Sequence, residues 1–107
     1  MSINEFKCRQ NWSKNCENQL NIQINKELDA SYKYLFLSCF FKQDNIGLDK
    51  LSDYFVKASQ EENEHAKILI DYQNMRGGKV HLKVIESPET INLNENSYQC
   101  VYEAFLE

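Results

Sequence analysis

Glu62 and His65 stand three residues apart in the run "EENEHA", a spacing that lets two side chains of one helix reach a single ion. Glu-x-x-His is the motif by which helical bundles hold carboxylate-bridged di-iron centres. Carboxylate oxygens with one imidazole suit Fe(II), and Mn or Zn less distinctively. Earlier in the chain Glu27 and Tyr34, seven apart, project in nearly the same direction from a stripe of Leu, Ile and Phe. A lone carboxylate in an apolar stripe is costly and calls for a compensating partner. No Lys or Arg shares either inner stripe, so a shared cation is the expected partner. Glu107, at the end of a third segment, can supply a further carboxylate. The residue three past Glu27 is Ala30, so no second Glu-x-x-His exists to make the site symmetrical. One iron is then expected to take Glu27, Glu62 and His65, and the other to depend on Glu62 and Glu107.

Taken singly, each residue has an ordinary explanation. An acidic run such as 61–64 is usually a solvated face, which fits Glu64 and leaves Glu61 at the boundary. It fits Glu62 poorly, because Phe55 and Leu69 at heptad spacing set that position inward. His65 alone is more often a core histidine bonded to a carbonyl, and Tyr34 alone is ordinary packing with its hydroxyl satisfied. Glu27 alone would pair with a base. The conjunction weakens all four explanations together.

The elements that position these groups follow from periodicity. Leu20, Ile24, Glu27, Ser31, Tyr34, Ser38 and Phe41 recur at alternating spacings of four and three, with Leu28, Leu35 and Cys39 widening the stripe. One helix is predicted from about Ser13 to Lys42, roughly 45 Å long. Residues 43–47, "QDNIG", read as a turn, and so short a connection makes the next helix an antiparallel neighbour. Leu48, Leu51, Phe55, Ala58, Glu62, His65, Leu69 and Tyr72 share one face of that second helix. Lys50, Asp53, Lys57, Gln60, Glu64, Lys67 and Asp71 lie opposite. The helix is predicted to end at Arg76, with a left-handed cap at Gly77-Gly78. The helical period vanishes over residues 79–94, which contain the only proline, Pro88, and an incidental His81. Extended, that stretch reaches roughly 53 Å, enough to run the length of a neighbouring helix and set a third helix parallel to the second. "ENSYQCVYEAFLE" begins that third helix, with Cys100, Ala104 and Glu107 on one face, and stops without a capping residue. The expected architecture is therefore all-α, a bundle of which two long helices, a long crossover and the start of a third are present in a single unit, 1–107.

Composition bounds the rest. The chain has 107 residues, enough for one domain, and 42% hydrophobic with 26% charged residues excludes disorder. Twelve basic against 16 acidic residues leave a net charge of −4, which gives no reason to expect nucleic acid or an anionic membrane as a partner. No apolar run suits a signal sequence or a membrane span, so a cytoplasmic location is expected. Cys8, Cys16, Cys39 and Cys100 show no paired spacing and are expected to be free thiols, with Cys39 and Cys100 packed as small apolar residues. The sequon at Asn11-Trp12-Ser13 is expected to be a chance match.

"RQNW" at 9–12, "INKELDASYKYL" at 24–35, "EENEHA" at 61–66 and "QNMRGG" at 73–78 closely resemble the heavy-type subunit of animal ferritin. The likeness runs over essentially the whole chain. It implies a four-helix-bundle subunit, assembly with other ferritin subunits into a hollow shell, and iron storage through oxidation of Fe(II) by O₂ at a ferroxidase centre. By that resemblance Glu27, Glu62, His65 and Glu107 match the iron ligands and Tyr34 the tyrosine beside the centre. Glu61 matches the acidic residue that passes iron inward. Glu64 matches part of the cavity-side nucleation patch, where Lys67 replaces an expected acid. Light-type subunits share the fold and lack the Glu62/His65 pair. The resemblance also implies a missing remainder: the rest of the third helix, the fourth and the short fifth. A chain so cut short is expected not to form a normal shell alone. The rival expectation is a non-catalytic ferritin-like chain that binds full-length subunits or folds poorly.

Overall fold

A computed structural model describes residues 11–87. Two helices, α1 (Lys14–Lys42) and α2 (Asp49–Met75), make up all the regular structure among the described residues. Pro88, Cys100, Glu107 and the expected start of a third helix lie outside them. Ser13 caps α1, its Oγ accepting from the Cys16 N–H at 3.0 Å, so the sequence-based start is one residue early. At the far end the Gln43 carbonyl accepts from the N–H groups of Ile46 and Gly47. Gly47, at φ +62°, then turns the chain into α2. The cap after α2 is a Schellman motif: the Gly77 N–H donates to the Asn74 carbonyl and the Gly78 N–H to the Gln73 carbonyl. Gly77 has φ +76°, the left-handed geometry expected of it.

The helices are antiparallel, and their register is carried by two heptad rows. Glu17, Ile24, Ser31 and Ser38 are buried on α1; Ser52, Ser59, Ala66 and Gln73 are buried on α2. Three of the four facing pairs are joined by hydrogen bonds. The Ser52 hydroxyl donates to the Ser38 carbonyl at 2.7 Å. Ser31 and Ser59 exchange hydroxyl-to-carbonyl bonds of 2.8 and 2.7 Å. Gln73 Nε2 donates to the Glu17 carbonyl at 2.9 Å. Small side chains let two backbones approach closely enough for a hydroxyl to reach the opposite carbonyl. Ile24 is the large apolar residue within the seam, and Phe41, Leu51 and Phe55 pack beside it at the loop end.

That seam corrects the face expected for α2. Leu51 and Phe55 are buried as expected, but the row continues through Ser59 and Ala66, and His65 and Tyr72 turn outward. Leu35 and Cys39 on α1 are likewise exposed in this pair, so Cys39 is not packed as a small apolar residue. A hydrophobicity stripe locates the wide apolar flank of a helix; it does not weigh the closer approach that serine permits. The expected polar face of α2 is exposed at all seven positions from Lys50 to Asp71.

The two ends of the pair are held differently. At the loop end Phe41, Leu51 and Phe55 form a buried cluster against Tyr34, Leu37, Phe40, Ile46 and Leu48. Phe41 and Phe55 stack at 5.7 Å, and Tyr34 stacks on the same ring at 5.9 Å. At the open end the contacts are polar. Trp12 Nε1 donates to Gln73 Oε1 at 2.7 Å, and the Arg76 guanidinium sits 4.7 Å above the Trp12 ring. Beyond the cap, residues 79–83 run extended along α1. Asn21 accepts from the His81 N–H and donates to the Lys79 carbonyl; Asn25 repeats this with the Lys83 N–H and the His81 carbonyl. Two amides one helical turn apart thus act as a partner strand for the crossover, which begins along the helix as its length allowed.

Candidate metal centre

Glu27 lies one turn from Ser31 on α1, and Glu62 lies three residues from Ser59 on α2. The reciprocal Ser31–Ser59 bonds therefore hold the two backbones close beside both carboxylates. Glu27, Glu62 and His65 offer ligand atoms that all fall within 4.8 Å of one another. His65 Nδ1 is 3.7 Å from Glu62 Oε2 and 3.8 Å from Glu27 Oε2. The other oxygen of Glu27 accepts from Gln23 Nε2 at 3.0 Å.

Glu27 and Glu62 are 18% and 25% exposed, and His65 is 56% exposed. The imidazole thus stands at the mouth of the cluster rather than in a core, unlike the inward position its helical stripe suggested. The neighbouring Glu62 carboxyl holds Glu27 below the ordinary carboxylate value, while the neighbouring Glu27, with burial and its charge, pushes Glu62 above. Two carboxylates set side by side favour a cation between them. The donor set of two carboxylates and an imidazole fits one divalent ion of the Fe(II) kind.

The other expected site residues fall elsewhere. Tyr34 belongs by its ring to the Phe55 stack, two turns along α1 from Glu27. Glu61 and Glu64 are exposed on α2 in a groove they share with His65 and Ser31, and Glu64 pairs with Lys67 at 3.6 Å. Glu107 lies outside the described residues. Sequence reasoning missed Gln23, which the i, i+4 relation to Glu27 marks out. It also missed Glu17, one heptad before Ile24, as an inward carboxylate. Nothing in the sequence pattern singles out Asn21 or Asn25.

The ferritin-like domain family matches residues 17–107. A protein of Aquarana catesbeiana named "Ferritin, lower subunit" is 42% identical over 85 residues, 79% of this chain and 49% of its own length. "Ferritin-1 heavy chain" of Schistosoma mansoni is 42% identical over 87 residues, 81% of this chain and 50% of its own. "Ferritin-3, chloroplastic" of Vigna unguiculata is 50% identical over 80 residues, 75% of this chain and 31% of its own. The chain thus spans about half the length of the animal relatives it matches, and less of the plant one.

Proposed function

The chain belongs to the ferritin family, and on that premise we propose that it binds Fe(II) at Glu27, Glu62 and His65 as the first step of oxidising it for storage. The observation that carries this reading is the convergence of two carboxylates and an imidazole from two helices, their ligand atoms within 4.8 Å of one another. Other observations support it: the serine seam holds the backbones close beside these residues, and two neighbouring carboxyls, with Glu62 pushed up by Glu27, make a place where positive charge is favoured. Fe(II) is the substrate. Its electrons pass to O₂, and the residues of the chain hold it by hard carboxylate oxygens and one imidazole nitrogen. Glu62 has an oxygen to share with a second ion, and Glu107 is the expected further ligand there. Tyr34 is proposed to stand beside the centre, Glu61 to help ferric product move inward, and Glu64 to belong to a cavity-side nucleation patch in which Lys67 replaces an acid. The ligand set is that of a heavy-type subunit. Other ferritin subunits are the proposed partners, in a hollow shell, and the cytoplasm is the proposed location.

The test is aerobic Fe(II) added to purified chain, following ferric absorbance, against Glu62→Ala/His65→Ala. Faster oxidation by the parent is expected. Equal rates would sink the enzymatic reading and leave a non-catalytic chain that acts through binding to other subunits.

A further inference from the structure

We propose that Gln23 is a positioning residue for the metal ligand Glu27, a role that rests on the iron-binding reading above. A carboxylate on a flexible side chain can present either oxygen, or both, to an ion. Here the choice is made by the helix itself. Gln23 lies four residues before Glu27 on the same face of α1, and its Nε2 donates to Glu27 Oε1 at 3.0 Å. Oε2 is the oxygen left facing the centre, 3.8 Å from His65 Nδ1. On the other side of Glu27, one turn on, Ser31 ties the α1 backbone to α2 through Ser59. The ligand is thus held at both ends: its Cα by the serine seam, its head by the glutamine amide. The hydrogen bond of Gln23 goes to Glu27, so its effect on the ion passes through Glu27. Hydrogen bonds to metal-bound carboxylates orient them and raise affinity, typically by about tenfold or more. Gln23 is exposed, which places it at the lower end of that range.

Co(II) titrated into the full chain, without O₂, and followed by its visible absorption gives an affinity independent of turnover. Gln23→Met keeps the length and helix propensity of the side chain and removes the donor; Gln23→Ala removes the side chain altogether. About tenfold weaker Co(II) binding is expected in both, with thermal midpoint and helicity unchanged. Affinity within twofold of the parent, in whichever variant keeps the parent's midpoint, overturns the role. Lost helicity in both variants also overturns it, since Gln23 is then a structural residue only. A parent chain that binds no Co(II) overturns the iron-binding reading and this inference together, whereas equal binding by parent and variants overturns the inference alone.

Discussion

Glu17 and Glu27 stand ten residues apart on one helix, and they are carboxylates of opposite kinds. Glu17 is 1% exposed, yet it is structurally complete: Lys14 Nζ reaches Oε1 at 3.0 Å and the Lys79 N–H donates to Oε2 at 3.3 Å. Glu27 is more exposed and less provided for. It faces a second carboxyl and an imidazole, and its one amide donor is Gln23. Depth of burial therefore does not mark the candidate site. What marks it is the company the carboxylate keeps. At the open end Glu17 meets a lysine and a backbone N–H, whereas midway along the helices Glu27 faces a second carboxyl and an imidazole.

Swapping the damage between these regions breaks the comparison most sharply. Glu27→Ala is expected to weaken Co(II) or Fe(II) binding by about a hundredfold, roughly 2.7 kcal/mol, and to leave the thermal midpoint close to that of the parent. Glu17→Ala is expected to leave metal affinity unchanged and to destabilise by about 2 kcal/mol, because it orphans the Lys79 N–H and opens a buried site. Calorimetric titration and thermal unfolding of both variants read the two effects independently. If Glu17→Ala loses metal and Glu27→Ala loses stability, the division fails.

Gln73→Leu tests the open end alone. Gln73 is fully buried and bridges Trp12 Nε1 to the Glu17 carbonyl. Leucine removes both hydrogen bonds, at about 1–3 kcal/mol, read as a lower urea midpoint. Metal affinity is expected to hold.

The centre should also show in pH. Glu62 has its pKa raised, so its contribution is full below the ordinary carboxylate value and fades as pH rises through the raised one. Glu27 has its pKa lowered, so its contribution is present above the ordinary value and fades as pH falls through the lowered one. In chelator the helix pair should therefore be more stable in the mildly acid window between the two than at neutral pH. Added Co(II) should remove that preference, since bound metal favours both carboxyls ionised. Glu62→Gln, which mimics the protonated acid, should raise the neutral-pH midpoint in chelator and abolish the response to metal. A flat profile in the parent would show that the two carboxyls do not perturb each other.

The smallest effect is at the cap. Gly77→Ala forces a side chain into φ +76° and should cost about 1 kcal/mol, with no change in metal affinity. Gly78→Ala should cost more, since a Cβ there would fall on Gln73 Oε1 and within 2.7 Å of Trp12 Nε1.

Much of this was legible in the residues themselves. Local rules carried the helix limits near Ser13, Lys42 and Arg76, the turn at 43–47 and the left-handed glycine at 77, because each depends on a few neighbours. Glu62 and His65 stood out by their spacing, and Glu27 by interrupting an apolar stripe, and the structure brings the three together. The seam was not legible. Ser31 and Ser38 fell on the expected stripe, but Ser52 and Ser59 did not, because hydropathy ranks serine as surface. Its short hydroxyl satisfies itself on a facing carbonyl only when a second helix is present. Nor was the amide ladder of Asn21 and Asn25 legible, since its partners are backbone groups of residues 79–83, some 58 positions along the chain.

Among the described residues the sequence by itself determined which residues could chelate, which segments are helical and where they end, for these follow from side-chain chemistry and short-range periodicity. Only the tertiary structure decided that Glu27 meets Glu62 and His65, and that Glu17, equally acidic and more deeply buried, belongs to the scaffold. The physical reason is register. A serine seam sets which turn of α1 faces which turn of α2, and a shift of one turn, about 5.4 Å, would separate the ligands.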